Sequence, residues 1–283
     1  MLESKEIDIL ECEKMSEDAL WSHMRAEAQE ALKLDPALSV LLLDEILHRG
    51  SFEEAVIHRV SNRLEASALN AAAIADAFLT ALANNPDISV KFRADITAYV
   101  ERDPACRRLI EPLLFYKGFH AIQSARLAHA LWQSGKRDFA LYVQSRASDA
   151  FAADIHPAAR FGKGIFLDHG TGFVVGETAI IDDDVSILHG VTLGGTGKAA
   201  GDRHPKIRRG VMIGAGTKIL GHIEIGASSR IAAGSVVLDA IPPHSIVAGV
   251  PAKVIGQETS LLPARDMDQI LRGLAYDAFD YGI

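Results

Sequence analysis

From Ile155 onward an apolar or small residue recurs at every sixth position. The beat runs Ile155, Phe161, Leu167, Phe173, Ala179, Val185 and Val191. It breaks, then resumes as Ile207, Ile213, Ile219, Ile225, Ile231 and Val237. A fixed short period is the mark of a solenoid, and a hexapeptide period indicates a parallel β-helix. Each repeat supplies one short strand and a turn. Three repeats close one triangular coil, and coils stack at a strand spacing of ~4.8 Å. The sixth-position side chain points inward and stacks on its counterpart in the next coil. The thirteen in-phase positions predict about four coils over residues 151–256. The period does not set the handedness, and the crossover rule for parallel strands taken alone favours a right-handed turn.

The break from Val191 to Ile207 spans sixteen residues, which six does not divide. It holds "GGTGKAAGDRHPK", with Lys198, Arg203, His204 and Lys206, followed by Arg208 and Arg209. Long loops in compact domains are usually functional or disordered. This one reads as an arm offering cations and an imidazole to an anionic group.

Residues 1–150 carry the punctuation of helices. Asp35 and Pro36 stand at N-cap and first-turn positions, with Gly50 just past the end of that segment. Ser51 and Glu54 have capping-box spacing. Ile88, Phe92, Ile96 and Val100 share one helical face, further helices start near Pro104 and Pro112, and Gly135 marks a break. The pattern gives roughly seven or eight helices and no strands. From Gln257 the repeat is lost, so residues 257–283 form an acidic tail that ends on Ile283.

Composition narrows the class. A chain of 283 residues holds two domains of ordinary size, and 48% hydrophobic with 23% charged residues describes a globular protein. The net charge of −8 argues against nucleic-acid binding. No window approaches eighteen consecutive apolar residues, so no membrane-spanning helix is expected. The N-terminus lacks the basic start and apolar run of a signal peptide. Cys12 and Cys106 have no metal-ligand spacing and read as reduced thiols of a cytoplasmic protein.

Asp168 and His169 follow Leu167 in "LDHGTG", and Asp154 precedes Ile155. Asp154 and His169 are fifteen residues apart, which puts them on neighbouring coils near one corner and predicts side-chain reach. An Asp–His pair suits general-base work, because the carboxylate fixes the imidazole tautomer and stabilises the imidazolium that forms.

The stretches "DIHPAARFGKGIFLDHGTGFVVGETA", "VTLGGTGKAAGDRHPKIRRGVMIGAGTKILG" and "AAGSVVLDAIPPHSIVAGVPAKVIG" closely resemble the bacterial serine acetyltransferases, a family of hexapeptide-repeat acyltransferases. The helical stretch "RDPACRRLIEPLLFYKGFHAIQSARLAHALW" resembles that family's N-terminal domain. The likeness is strong over residues 85–256. It implies an α+β chain: an N-terminal all-α helical domain at 1–150, a left-handed parallel β-helix at 151–256, and a flexible C-terminal tail at 257–283. It implies trimers with active sites between adjacent prisms, paired through the helical domains into hexamers. It implies acetyl transfer from acetyl-CoA to the hydroxyl of L-serine, with no metal. By the same resemblance His169 is the general base and Asp154 its orienting carboxylate. Asp103 and Asp168 hold the serine amino group, Arg203 pairs with its carboxylate, and His204 lies beside it. Gly195, Ala215, Arg230, Ala233 and Lys253 match cofactor-binding positions. L-Cysteine is the implied feedback inhibitor. O-acetylserine sulfhydrylase is the implied partner, captured through the tail ending at Ile283.

Three other readings compete. The acceptor could instead be homoserine, a sugar or an antibiotic. A zinc enzyme of the γ-carbonic-anhydrase type would need about three converging imidazoles, from among His156, His169, His189, His204 and His222. A non-enzymatic scaffold predicts a damaged site, whereas all six candidate catalytic and acceptor-binding residues are present.

Overall fold

The computed structural model describes residues 17–197 and 200–270. Cys12, Lys198 and Ile283 lie outside the described residues. The described residues open with helix α1 (Glu17–Leu34), a 3-10 turn (Pro36–Leu38), α2 (Ser39–Leu42) and a π-helical turn (Leu43–Leu47). It continues through α3 (Phe52–Leu64), α4 (Ala71–Asn84), α5 (Asp87–Arg102), α6 (Ile110–Phe115), α7 (Lys117–Gln133) and α8 (Arg137–Phe151). The expected caps form. Asp35 accepts from the Ala37 N–H at 3.2 Å, and Ser51 from the Glu54 N–H at 3.2 Å. The Glu54 carboxylate reaches back to the Gly50 N–H at 2.7 Å, one residue beyond the box geometry. No helix starts at Pro104. Residues 103–109 are a turn, held by the Asp103 carboxylate accepting from the Ala105 N–H at 2.8 Å, and α6 begins at Ile110.

Among the described residues fifteen short strands follow, and all but the last pair run parallel. The first face of the prism stacks β1 (Ala153–Ile155), β4 (Phe173–Val175), β7 (Thr192–Gly194), β10 (Lys218–Leu220) and β13 (Val236–Val237). The second face stacks β2 (Arg160–Phe161), β5 (Ile180–Ile181), β8 (Lys206–Ile207) and β11 (Glu224–Ile225). The third stacks β3 (Phe166–Leu167), β6 (Ser186–Ile187), β9 (Met212–Ile213), β12 (Arg230–Ile231), β14 (Ser245–Gly249) and β15 (Ala252–Gln257), of which β14 and β15 are antiparallel. Five strands on the first face make about five coils, one more than the sixfold count predicts. The inward columns are Ile155–Val175–Leu193–Ile219–Val237 on the first face and Leu167–Ile187–Ile213–Ile231–Val247 on the third, all buried.

These columns correct the phase of the repeat. Ile155 pairs with Val175 and Leu167 with Ile187, so the first coil takes 20 residues. Val175 pairs with Leu193 after 18, and Ile181 with Ile207 after 26. Between Ile155 and Val237 the beat therefore breaks twice, and beyond it the last coil shortens to 16 residues from Ile231 to Val247. The second break is the arm before Ile207. The first is a two-residue expansion at 168–172. It is silent in the sequence because Phe173, Ala179, Val185 and Val191, two positions before the inward column, are buried as well.

The two domains share a buried polar seam. The Asp95 carboxylate accepts from Arg126 at 2.6 Å and from the Ile165 N–H at 2.9 Å. The Tyr99 hydroxyl donates to the Leu167 carbonyl at 2.8 Å. Residues 258–270, assigned from the sequence to the tail, are docked on the third face as a strap containing α9 (Pro263–Asp266). Ser186 donates to the Ala264 carbonyl and Ser228 to the Leu261 carbonyl, both at 2.6 Å. Asp184 receives Arg102, Arg209 and Arg265 at 3.4, 2.9 and 3.4 Å, joining helical domain, prism and strap on one carboxylate.

Candidate active site

The 168–172 expansion lies at the corner between the third and first faces. His169, Gly170 and Gly172 take φ of +56°, +66° and +72°. A left-handed histidine is uncommon and needs support from its surroundings. The Gly170 N–H bonds the Asp168 carbonyl at 2.7 Å, and the Gly172 N–H bonds the Ala152 carbonyl of the coil below, also at 2.7 Å. The start of α7 presses on the turn at Gly118, where a Cβ would come within 2.0 Å of the Leu167 carbonyl. The neighbouring Lys117 ammonium donates to the Thr171 hydroxyl. So braced, the turn thrusts the His169 imidazole into solvent, with its side chain 72% exposed.

Asp168 lies 3.6 Å from His169 Nε2, and the His189 ring stands edge-on at 5.8 Å. Burial pushes the Asp168 carboxyl above its usual range; His169 draws it down and Asp103 pushes it up again. Asp103, Asp168, His169 and His189 line one cavity of about 650 Å³, together with Tyr99, Tyr116 and Lys117. Asp103 and Asp168 also border a second cavity of about 700 Å³, whose outer wall is Arg265, Asp266, Met267 and Gln269 of the strap. Cys106 of the 103–109 turn also borders this cavity, and burial pushes its thiol up to about 12.

Arg203 and His204 occupy a different corner, between the first and second faces. There the arm folds over "GET" at 176–178. The Thr178 hydroxyl accepts from the N–H groups of Arg203 and His204 at 3.0 and 3.1 Å. His204 Nδ1 accepts from the Thr178 N–H at 3.1 Å, which places the ring proton on Nε2 as a donor. The ring lies flat on Gly176, where a Cβ would come within 2.0 Å of it. Burial first, then the Arg203 charge, hold the imidazole below its usual range, so it stays neutral. Arg203 pairs with Glu177 at 2.8 Å. Gly195 lies beside His204.

Within one chain the structure therefore gathers Asp103, Asp168 and His169 at one corner and Arg203, His204 and Gly195 at another. Asp154 is exposed on the outer side of β1 and accepts from Gln144 at 2.7 Å. The acid nearest His169 is Asp168. Ala215 and Ala233 stack above Thr171 and His189 on the His169 edge, each preceding a left-handed glycine of the ladder Gly172–Gly190–Gly216–Gly234. Arg230 is elsewhere. It is buried on the third face, 2.9 Å from Glu258, and donates to the Asp268 carbonyl at 2.6 Å, so it fastens the strap. Lys253 stands at the capped end, exposed, 3.8 Å from Asp239. The sequence reading passed over Glu177 and Thr178, which the local sequence does not distinguish. It weighed His189 only as a zinc ligand. The x-Gly step shared by "HG", "AG" and "AG" at 189–190, 215–216 and 233–234 could have placed that histidine on the edge.

The five histidines weighed for zinc do not converge. His169 and His189 share one corner and His156 and His204 the other, while His222 sits 3.4 Å from Asp202. Among the described residues, three donor atoms come together at Asp44, Glu45 and His58, far along the chain from either corner. Arg49 and Arg59 already pair with those carboxylates.

Known proteins resemble this chain in sequence and fold. The family model "Serine acetyltransferase, N-terminal" matches residues 20–124, and "Bacterial transferase hexapeptide (six repeats)" matches 204–239. The serine acetyltransferase of Salmonella typhimurium is 47% identical over 271 residues, covering 96% of this chain and 98% of its own. A crystal structure of serine acetyltransferase from Brucella abortus in complex with coenzyme A superposes with a TM-score of 0.84 at 55% identity, covering 87% of this chain and 98% of that one. A serine acetyltransferase in complex with cysteine superposes with a TM-score of 0.88 at 46% identity, covering 90% and 99%.

Proposed function

The chain belongs to the serine acetyltransferase family, and on that premise we propose that it moves the acetyl group of acetyl-CoA to the hydroxyl of L-serine, with His169 as the base. The observation that carries this reading is the trio at the first corner. Two carboxylates, Asp103 and Asp168, border one cavity with an exposed imidazole. A carboxyl that burial and a second acid make reluctant to ionise gains from an arriving ammonium. Serine binding there by its amino group sets its hydroxyl toward His169. The imidazole takes the hydroxyl proton as the oxygen attacks the thioester carbon. The tetrahedral intermediate collapses, the C–S bond breaks, and the imidazolium returns its proton to the CoA thiolate. CoA lies along the edge where Ala215 and Ala233 permit close approach of its pantetheine arm. Arg230 is taken up by the strap, which leaves Lys253 as the freer cation for phosphate. Asp154 accepts from Gln144 through one carboxylate oxygen, and the family resemblance gives it the role of orienting the imidazole while Asp168 meets the ammonium.

The acceptor's carboxylate needs a cation, and Arg203 is the candidate. Both corners flank the first face, separated by about four residues of strand, ~13 Å. A second copy that laid its Arg203 corner against the His169 corner would complete the site, the basis for a cyclic trimer here. L-Cysteine, with the same end groups as serine, would compete for the same acids and arginine. Binding of a sulfhydrylase through Ile283 rests on the tail sequence alone. The deciding experiment is thiol release from acetyl-CoA with L-serine, with L-homoserine, and with no acceptor. Release that did not depend on L-serine would overturn the assignment.

A further inference from the structure

A second concavity, of about 490 Å³, lies where α4, α5 and α7 meet β2 of the first coil. It shares no lining residue with the cavities around His169. Helix α7 runs between the two sites. Gly118 at its start borders the reaction cavity, and Ala125 to Gln133 border this one, ~11 Å of helix away at the nearest.

Its volume falls within the range of small-molecule sites, ~300–1,000 Å³, and its walls mix apolar and polar residues. Ala81, Ile88, Leu131 and Phe161 supply the apolar surface. The charged and titratable groups are Lys91, Arg126, His129 and Lys136; none of the described residues lining the space is acidic. The chain as a whole carries a net charge of −8, so an acid-free basic cleft stands against the composition.

The four groups differ in what they can still bind. Asp95 at 2.6 Å balances Arg126. Lys91 pairs with Asp87 one helical turn away, at 2.8 Å, an exposed contact of a kind worth little that an incoming anion can displace. Lys136 is exposed and has no ion-pair partner among the described residues. His129 Nδ1 donates to the Pro157 carbonyl at 2.8 Å, and burial with the nearby cations holds the imidazole below its usual range, so Nε2 is an acceptor and offers an anion nothing.

We propose that this cleft binds a small amphipathic carboxylate, its hydrocarbon body against Ala81, Leu131 and Phe161 and its carboxylate at Lys136 and Lys91. A cleft with an apolar wall, two lysines and no acid in its lining favours that class over a cationic one. The occupant would touch both domains at once, wedged between the helices and the first coil.

The test titrates the full-length protein calorimetrically with octanoate, and with octan-1-ol as the uncharged counterpart. Two variants discriminate. Lys136→Glu reverses an exposed charge. Thr80→Trp places a large ring at an exposed lining position, so neither disturbs the core. Octanoate should bind saturably. Lys136→Glu should weaken it at least tenfold, Thr80→Trp should abolish it, and saturating CoA should leave it unchanged. Acetyl transfer by both variants should stay within twofold of the parent. No saturable octanoate binding would overturn the proposal. So would octanol binding as tightly as octanoate, octanoate binding that survives Thr80→Trp, or its displacement by CoA.

Discussion

His169 owes its place to a local strain, φ +56° on a non-glycine residue, that the coil below and Gly118 of α7 hold in position. The scaffold around it is rigid and the side chain is exposed, so His169→Ala should leave folding and CoA affinity intact. Loss of a general base costs ~10²–10⁴-fold in turnover, measured by thiol release; turnover at the parent rate would remove its assigned role. Asp154→Asn should cost less, since the imidazole that takes the proton remains. Asp168 gives the reaction a pH signature. Its carboxyl sits above the usual range, chiefly through burial, so as pH falls it protonates before an ordinary carboxylate does. The Michaelis constant for serine should then rise on the acid side while that for acetyl-CoA stays level, and Asp168→Asn should show the raised constant at every pH. A second titration acts on stability. Burial holds the His120 imidazole, which donates from Nε2 to the Leu113 carbonyl at 2.7 Å, down to about 3 against 6.5 for the free group. The unfolded chain therefore binds the extra proton first. The stability that neutral His120 contributes is complete above about pH 6.5 and drains away as pH falls toward 3. His120→Gln, which keeps a donor for Leu113, should flatten the fall of melting temperature over that window. An unchanged slope would mean that other groups dominate it.

At the scale of the element, each corner turn is where chemistry and regularity compete. The strands were legible because buried aliphatic side chains must recur to stack, and the arm was legible because it destroys that recurrence. The 168–172 expansion was hidden for a physical reason. Each six-residue repeat buries two positions, so a slip of two exchanges one apolar column for the other and leaves the pattern intact. The helices were legible from caps such as Ser51, whereas Pro104 misled because Asp103 bonds the Ala105 N–H and makes a turn where a helix start was expected. Arg230 misled differently. Its strap partners, Glu258 and the Asp268 carbonyl, lie 28 and 38 residues away, and no local pattern announces them. The second corner is the place to test how much an element's shape matters to the site. Gly176→Ala would put a methyl where the His204 ring lies, at 2.0 Å, and must displace the ring or the arm. The expected result is a higher Michaelis constant for serine with an unchanged melting temperature, because the prism core is untouched. A normal serine constant would show that His204 does not face the acceptor.

For the molecule as a whole, one coil cannot place a single amino acid against both of its own corners, because the first face stands between them. The acids and base that suit an ammonium and a hydroxyl are on one side of that face, and the guanidinium that suits a carboxylate is on the other. A closed ring of three identical chains resolves this if each chain lends its Arg203 corner to its neighbour's His169 corner. The arrangement makes a prediction that a self-contained site does not. His169→Ala and Arg203→Ala chains are each expected to be nearly inactive alone, the first for want of a base and the second for want of a carboxylate anchor. When the two are unfolded together in equal amounts and refolded, the chains assort at random. A site is then whole only where a chain that keeps His169 adjoins one that keeps Arg203, which is about one site in four in a heterologous ring. The mixture should therefore recover about a quarter of the parent activity at serine near the parent Michaelis constant, while the two variants refolded separately and then combined should recover none until subunits exchange. If each site were built within a single chain, every chain in the mixture would carry one lesion and activity would not return under either protocol. Recovery after co-refolding, set against its absence after simple mixing, measures directly whether the second copy completes the site.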